Sequence, residues 1–158
     1  MQVTTIEAVD TLDVQLKMLD QGIEAPSYAK PGDAGADLRT TIDVTLDPGE
    51  RKLVPTGVAV ALPFGTVGLI HPRSGLAAKH GITVVNSPGT IDAGYRGEIS
   101  VCLLNTDKHK PVEFKRGDRI AQLVIQRIEI ASFIQAAELP DSERGAEGFG
   151  STGGFTLP

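Results

Sequence analysis

Asp92 and Tyr95 lie three residues apart within residues 86–105, NSPGTIDAGYRGEISVCLLN, and their types could support acid–base chemistry. Turn-forming residues come before Asp92, a second turn follows it, and a β-rich run begins at Ile99. The order of strand, sharp turn and strand predicts a β-hairpin that holds the carboxylate and the ring at the mouth of a pocket. A general base beside a stacking surface suits a small planar substrate that is attacked by water.

Each of these two residues also has a simpler structural interpretation. An aspartate before a turn commonly caps that turn through its carboxylate, and Asp92 taken alone fits this role. A lone tyrosine such as Tyr95 commonly packs its ring and leaves its hydroxyl in water. Asp92 and Tyr95 alone therefore do not distinguish a functional site from an ordinary turn, and evidence from other segments of the chain is needed.

Polar side chains also stand in a glycine-rich segment and in a predicted strand. Residues 31–38 read PGDAGADL, and the small residues around Asp33 and Asp37 permit close backbone approach. A glycine-rich turn capped by an aspartate is the simpler interpretation of this segment. Residues 119–128 alternate as a strand and carry Gln122 on an apolar face, where a buried amide needs partners. A partly exposed strand face would explain Gln122 without any site.

The stretch HPRSGLAAKHG predicts the one helix of the chain, over residues 75–80. Ser74 would cap this helix, and Gly81 would end it. Arg73 and Ser74 at the helix start form a plausible anion site, because free backbone N–H groups point outward there. An ordinary helix cap beside a solvated arginine is the alternative.

Residues 142–158, SERGAEGFGSTGGFTLP, are too rich in glycine to pack a core of their own. Such a composition at a chain terminus is typical of disorder. However, Arg144, Phe149, Ser151 and Thr152 place a charge, a ring and two hydroxyl groups among the glycines. This set could close over a base and a polyphosphate, with glycines letting backbone N–H groups reach phosphate oxygens.

Composition and charge limit the class of protein. The 158 residues are most simply one domain, and their net charge of −5 argues against a broad nucleic-acid surface. An anionic substrate would therefore need local arginine, lysine or a metal ion. The single cysteine, Cys102, excludes an intramolecular disulfide framework. The sequence shows no apolar run long enough for a membrane helix and no signal-peptide pattern, so we expect a cytoplasmic protein.

Abundant glycine and proline with common β-branched residues predict an all-β sandwich or barrel of short strands. We expect the first of these strands, at residues 14–18, to be half-buried. The predicted strands cover residues 14–18, 42–46, 51–62 with a bulge or bend, 66–71, 82–85, 99–104, 112–114 and 119–128. Residues 130–139 are predicted to form a last strand and a linker.

Five segments resemble, in the same order, the five motifs of the homotrimeric dUTPases, which hydrolyse dUTP to dUMP and pyrophosphate. One such motif would be weak evidence, whereas five in order are highly specific. The matching segments are AGADL at 34–38, PRSGLA at 72–77, GTIDAGYRGEI at 89–99, RGDRIAQLV at 116–124 and RGAEGFGSTG at 144–153.

The resemblance implies an all-β distorted jelly roll of the β-clip type with one short helix, assembling as a trimer with shared active sites. It implies a β domain at residues 1–139 and a flexible arm at residues 140–158 that closes over the active site. The implied role of the enzyme is to limit uracil in DNA and to supply dUMP for dTMP synthesis. The implied partners are dUTP and further copies of the chain, with no nucleic acid and no membrane.

The resemblance also assigns roles to individual residues. Asp92 would be the catalytic base, and Asp37 would face the cofactor Mg²⁺ through a metal-bound water. Tyr95 would lie under the deoxyribose and leave no space for a 2′-hydroxyl. Ser74 would bind the oxygen that bridges the α and β phosphorus atoms. The implied substrate-binding residues are Arg73, Ser74, Gly75, Asn86, Thr90, Ile91, Tyr95, Ser100, Gln122, Arg144, Phe149, Gly150, Ser151 and Thr152.

Two other functions compete with dUTP hydrolysis. The dCTP deaminases share this fold and carry a catalytic glutamate in the strand after the hairpin, where this chain has Cys102. Deamination would therefore lack its acid/base group. A binding or regulatory protein could keep the pocket without turnover. Loss of Asp92 or of the glycine-rich residues 142–158, the tail, would indicate such a protein, and both are present.

Overall fold

A computed structural model describes residues 11–146, and this range consists of eleven strands and one short helix. The prediction of an all-β chain with one helix is therefore confirmed. No helix in the described range is long and apolar enough to cross a membrane. The elements are β1 Gln15–Met18, β2 Ala36–Arg39, β3 Val44–Leu46, β4 Arg51–Pro55, β5 Val58–Ala61, β6 Thr66–His71, α1 Ser74–His80, β7 Ile82–Val84, β8 Gly89–Ile91, β9 Ser100–Asn105, β10 Val112–Phe114 and β11 Arg119–Arg127.

The strands of this range form two larger sheets and two strand pairs, and all of their pairings are antiparallel. The first sheet has the order β2-β11-β6-β8, and the second has the order β4-β9-β7. The strand pairs are β1-β5 and β10-β3. Because neighbours in a sheet are mostly distant in sequence, these pairings place segments from distant parts of the chain side by side, as they do residues 36–39 and 119–123.

Buried aliphatic side chains from both larger sheets form one core, which includes Leu38, Val54, Ile70 and Leu103. Strand β9 shows the alternation that positions the site. Its buried residues are Val101, Leu103 and Asn105, while Ser100, Cys102 and Leu104 are only half-buried on the other face. Side chains of a strand alternate between its two faces, so a core-facing register here leaves Ser100 and Cys102 on the opposite side.

The predicted hairpin around Asp92 is wrong, although its turn exists. Strand β8 pairs with β6, whereas β9 pairs with β4 and β7, so the two strands join different sheets. Local turn residues predict a reversal of the chain, but they carry no information on which distant strand will pair with each arm. The Asp92 turn is consequently a bridge between two sheets.

The last strand that the sequence predicts within residues 130–139 is also wrong, whereas the predicted linker agrees with the absence of a strand there. This segment has no strand, and Ile130, Phe133 and Ile134 are 79%, 96% and 88% exposed. Its apolar residues resemble those of a strand, but the described part of the chain offers them no partner strand and no apolar face. The half-burial predicted for residues 14–18 holds for Val14 and Met18, while Leu16 is exposed.

The helix α1 begins one residue earlier than the sequence predicts. Arg73 occupies the N-cap position with extended backbone, and no side chain caps the helix, so Ser74 is its first residue and not its cap. Gly81 ends the helix as predicted, with φ of 63° and its N–H donating to the Ala77 carbonyl at 3.1 Å. The Ser74 hydroxyl is thereby left for another partner.

Candidate active site

A pocket of about 370 Å³ opens where β8, the Asp92 turn and β9 meet. All six site residues predicted between residues 86 and 100 line it, and they come from the turn before β8, from β8, from the Asp92 turn and from β9. A second cavity, of about 630 Å³ at β1 and β5, contains none of the predicted residues. The lining of the first pocket is Leu53, Ile70, Val84, Asn86, Gly89, Thr90, Ile91, Asp92, Tyr95, Glu98, Ile99, Ser100, Val101 and Cys102.

The carboxylate of Asp92 is exposed at the mouth of this pocket. Its turn is closed by the backbone, because the Tyr95 N–H donates to the Asp92 carbonyl at 3.0 Å. Among the described residues, no group donates a hydrogen bond to the Asp92 side chain. The carboxylate therefore does not cap its own turn, and it is available to accept a proton from a ligand or a water.

The ring of Tyr95 is held beside this carboxylate. Its hydroxyl donates to the Glu98 carbonyl at 2.9 Å, and the residue is 43% exposed. The carboxylate of Glu98 is already engaged, since it accepts the Gly57 N–H at 2.8 Å. The ring and Asp92 thus form one wall of the pocket with only Asp92 carrying an unengaged charge.

The remaining lining alternates apolar and polar groups. Ile70, Val84 and Val101 supply apolar surface, and Asn86 and Ser100 supply polar side chains. Apolar surface that alternates with a small number of placed polar groups is typical of sites that fix the orientation of a small ligand. Cys102 was not predicted as a lining residue, although it lies two residues beyond Ser100 and the period of a strand could have identified it.

A second cluster of predicted residues lies around Asp37, which is 6% exposed. Its two carboxylate oxygens each accept a hydrogen bond at 3.0 Å, one from Arg73 Nε and the other from Arg119 Nη1. Asp37 stands opposite Gln122 in the register of β2 and β11. Directly opposed residues share a face of the sheet, so Asp37 and Gln122 lie side by side.

Two members of this second cluster were not predicted as site residues. One is Arg119, which the sequence places only within a matching segment. The other is Gly35, where an added Cβ would lie 2.9 Å from the Gln122 Cβ. Any larger residue at position 35 would therefore displace Gln122. Small residues beside Asp37 were the available signal, but their neighbour on β11 cannot be read from local sequence.

The other predicted residues lie in the first turn of α1, near the end of the described range or beyond that range. Ser74 and Gly75 are exposed in the first turn of α1, and Arg144 is exposed near the end of the range. The predicted residues Phe149, Gly150, Ser151 and Thr152 lie outside the described residues.

The two clusters lie apart within one chain. Ile91 is level with Gly68 on β6, so Asp92 continues towards Val67, whereas Gln122 on the other side of β6 is level with His71. Four residues along a strand and two strand spacings correspond to about 13 Å along the sheet and about 10 Å across it. A single chain therefore does not bring Asp92 and Gln122 to the same atom of a ligand.

No group of three or more histidine, cysteine, aspartate or glutamate side chains in the described range could hold a metal ion. Asp37 offers oxygen, the ligand type that Mg²⁺ prefers, but Arg73 and Arg119 already occupy one position on each oxygen. A carboxylate has about four lone-pair sites, so contact through a metal-bound water remains compatible with this arrangement.

The sequence matches the dUTPase family over residues 21–153. A deoxyuridine 5′-triphosphate nucleotidohydrolase of Nocardia farcinica is 64% identical over 141 residues, which cover 89% of this chain and 86% of that protein.

Solved structures give the same relationship. A dUTPase variant of Staphylococcus bacteriophage 80alpha, solved with dUpNHpp, superimposes with a TM-score of 0.84 at 32% identity and covers 90% of this chain and 99% of that one. A variant dUTPase from phage phi11 of S. aureus, described for the coordination of a structural Mg(II) ion, gives a TM-score of 0.76 at 27% identity, with 82% and 100% covered. These likenesses confirm the predicted jelly-roll fold.

Proposed function

The chain belongs to the dUTPase family, and we propose that it hydrolyses dUTP to dUMP and pyrophosphate with Asp92 as the base that activates the attacking water. It is accordingly a dUTP diphosphatase. We further propose that it acts in the cytoplasm, where removing dUTP limits uracil in DNA and dUMP supplies dTMP synthesis.

One observation carries the assignment of the base. The carboxylate of Asp92 lies exposed at the mouth of a pocket of about 370 Å³, beside the Tyr95 ring and without a hydrogen-bond donor in the described range. A turn-capping aspartate would have its oxygens engaged by backbone N–H groups. An unengaged carboxylate at a pocket mouth instead has room for a water molecule between itself and a bound substrate.

The pocket itself suits a deoxyuridine group. Its apolar walls fit a flat base, and Asn86, Thr90 and Ser100 supply polar groups for the edge of uracil. Tyr95 would lie under the deoxyribose, where a 2′-hydroxyl would meet the ring. Once closed over the nucleotide, the pocket would also reject a larger base such as thymine, because steric exclusion discriminates more strongly than a loose apolar site.

The triphosphate would meet the second cluster. Arg73 carries a positive charge, Ser74 and Gly75 stand exposed in the first turn of α1, and Gln122 lies beside Asp37. Since Asp92 and Gln122 of one chain are far apart along the sheet, we propose that the second cluster comes from a neighbouring subunit of a homotrimer. Active sites would then form only at subunit boundaries.

The tail would complete the site. Arg144 and the region of Ser151 and Thr152 would hold the γ-phosphate, Gly150 would give the backbone close approach, and Phe149 would stack on uracil. Because these residues lie within a glycine-rich sequence, we propose that they order over the bound nucleotide and exclude bulk water.

In the reaction, Asp92 accepts a proton from a water that attacks the α-phosphorus in line with the departing pyrophosphate. Gln122 helps to position that water, and Ser74 donates a hydrogen bond to the bridging oxygen on which leaving-group charge develops. Arg73 and Arg144 stabilise the pyrophosphate. Phosphoryl chemistry depends mainly on such positioning and charge stabilisation.

We propose Mg²⁺ as the cofactor, which Asp37 would hold through a water beside the substrate triphosphate. When bound, the ion offsets triphosphate charge and acts as a template for the substrate. This arrangement agrees with the chemistry of Asp37, whose free lone pairs permit a contact through water.

Pyrophosphate release from dUTP in the presence of Mg²⁺, with EDTA as the control, tests the proposed function. We expect release with dUTP and much slower release with dTTP, dCTP or UTP. Ammonia release from dCTP would instead favour a deaminase. Tight binding of dUTP without pyrophosphate release would favour a binding protein.

A further inference from the structure

Gly97 lies directly against the Tyr95 ring. An ideal Cβ at position 97 would lie 2.6 Å from Tyr95 Cζ and 3.0 Å from Cε2, and closer still to the hydroxyl oxygen. Real Cβ atoms are essentially never found within 3.0 Å of another heavy atom. The present position of the ring therefore requires that residue 97 has no side chain.

The backbone does not explain this glycine. The φ angle of Gly97 lies outside the left-handed region that favours glycine, in contrast to Gly57 and Gly81. Gly94, the other glycine of the Asp92 turn region, has no atom within 4 Å of an added Cβ. Of these two turn glycines, only Gly97 is constrained by a neighbouring side chain.

The hydrogen-bond acceptor of the Tyr95 hydroxyl belongs to a segment that is attached to the core. The Tyr95 hydroxyl donates to the Glu98 carbonyl, and the Glu98 carboxylate accepts the Gly57 N–H at 2.8 Å. The next residue, Ile99, is 1% exposed, and its N–H donates to the Val58 carbonyl at 2.7 Å. The acceptor for the hydroxyl is thus fixed by the bend between β4 and β5.

We propose that Gly97 is a specificity-determining residue, because its lack of a side chain lets the Tyr95 ring approach the backbone closely while the ring hydroxyl donates to the Glu98 carbonyl. This inference rests on the proposed function, in which the ring excludes a 2′-hydroxyl. A methyl group at position 97 forces the ring to turn outward, which the 43% exposure of Tyr95 permits without disturbing the core. The wall that separates deoxyribose from ribose is then displaced.

The test compares kcat/KM for dUTP and UTP in the full-length protein, the variant Gly97→Ala and the matched control Gly94→Ala. We expect the ratio of dUTP to UTP to fall by about tenfold or more in Gly97→Ala, the size of effect expected for a weakened steric contact, and to be retained in Gly94→Ala. An unchanged ratio in a folded Gly97→Ala protein overturns the proposal. Absence of dUTP hydrolysis by the unmodified protein would instead contradict the proposed function.

A second measurement reads the ring position independently of turnover. The chain has two tyrosines and no tryptophan, so in a Tyr28→Phe background the tyrosine fluorescence reports on Tyr95. We expect Gly97→Ala to change this fluorescence and its response to dUMP, whereas Gly94→Ala leaves both unchanged. The same signal in all three proteins contradicts the proposal.

If the single variant Gly97→Ala does not fold, the double variant Tyr95→Ala/Gly97→Ala tests the proposal instead. Without the ring, a methyl group at position 97 has no steric conflict, so we expect Gly97→Ala to cost no stability in the Tyr95→Ala background. If Gly97→Ala prevents folding in that background too, the backbone requires the glycine and the proposal is wrong.

Discussion

The carboxylate of Asp37 accepts a hydrogen bond from Arg73 Nε at 3.0 Å while it is itself 6% exposed. Its other oxygen accepts one from Arg119 at the same distance. Two guanidinium groups around one carboxylate leave a net local charge of +1. Because Asp37 engages Arg73 through Nε, the two terminal nitrogens of that guanidinium remain available for phosphate oxygens.

The Asp37 pairing predicts that Asp37→Asn lowers kcat/KM for dUTP by about tenfold to a hundredfold, because Arg73 loses its fixed orientation. Pyrophosphate release measured over a range of dUTP concentrations checks this. Asp33→Asn is the matched control, since Asp33 lies in the same glycine-rich segment and its carboxylate accepts the Lys30 N–H of its own loop. Equal losses in both variants would contradict the role of Asp37 in positioning Arg73.

The separation of Asp92 from Gln122 predicts that inactive variants complement each other. Asp92→Asn and Gln122→Ala are unfolded together, refolded as a mixture and assayed. If the proposed homotrimer forms, one subunit interface of each mixed trimer combines an intact Asp92 with an intact Gln122. An equal mixture should then regain about a quarter of the native activity.

Each variant refolded alone is the control for that experiment, together with the two variants refolded separately and then combined. Activity of the co-refolded mixture no higher than these controls would show that each chain builds its site alone. Sedimentation of the same samples establishes whether they are trimers.

The tail predicts a loss of turnover without a loss of assembly. Deleting residues 144–158 removes the proposed γ-phosphate and uracil contacts, whereas the two larger sheets lie wholly before residue 128. We expect no measurable pyrophosphate release, together with an unchanged sedimentation coefficient after correction for mass. Native activity after the truncation would remove the tail from the mechanism.

The pair of Asp20 and Arg116 predicts one component of acid stability. The pKa of Asp20 is lowered from 3.8 to about 2. The main cause is the hydrogen bond from the Arg116 side chain, and the hydrogen bond from the Gly22 N–H is the second cause. A carboxyl group whose pKa is lower in the folded than in the unfolded protein stabilises the fold at pH values above its unfolded-state pKa. This stabilisation disappears as the pH falls through its folded-state pKa. The contribution of Asp20 should therefore be complete above about pH 4 and lost near about pH 2.

Urea unfolding of the native chain and of Asp20→Asn at several pH values measures this contribution. The difference in unfolding free energy should shrink as pH falls from about 4 to about 2. In an Arg116→Met background, Asp20→Asn should have a much smaller pH-dependent effect. A difference that does not change with pH would contradict the assignment.

Sequence reasoning succeeded where local patterns determine the structure. The apolar run of β6 and the glycine stop of α1 are local signals, and both appear as predicted at Thr66–His71 and Gly81. The grouping of Asn86, Asp92, Tyr95 and Ser100 around one pocket also agrees with the structure. These residues are close in sequence, so a short chain segment carries most of that site.

The errors have a common physical origin in distant partners. The turn after Asp92 predicts a hairpin, but the pairing of β8 with β6 and of β9 with β4 is decided by core burial across the whole chain. The apolar segment at residues 130–139 looks like a strand, yet it finds no partner within the described range. The closeness of Arg119 to Asp37 likewise depends on the pairing of β2 with β11.

Single-turnover hydrolysis of dUTP by Asp92→Asn, with nucleotide binding measured on the same preparation, tests the role of Asp92 most directly. The amide cannot accept the proton of the attacking water, but it keeps the shape of the pocket mouth. We predict that dUTP binding stays within a few-fold of the native affinity and that the chemical step slows by a factor on the order of 10² to 10⁴. Hydrolysis by Asp92→Asn at the native single-turnover rate would contradict the assignment of Asp92 as the base.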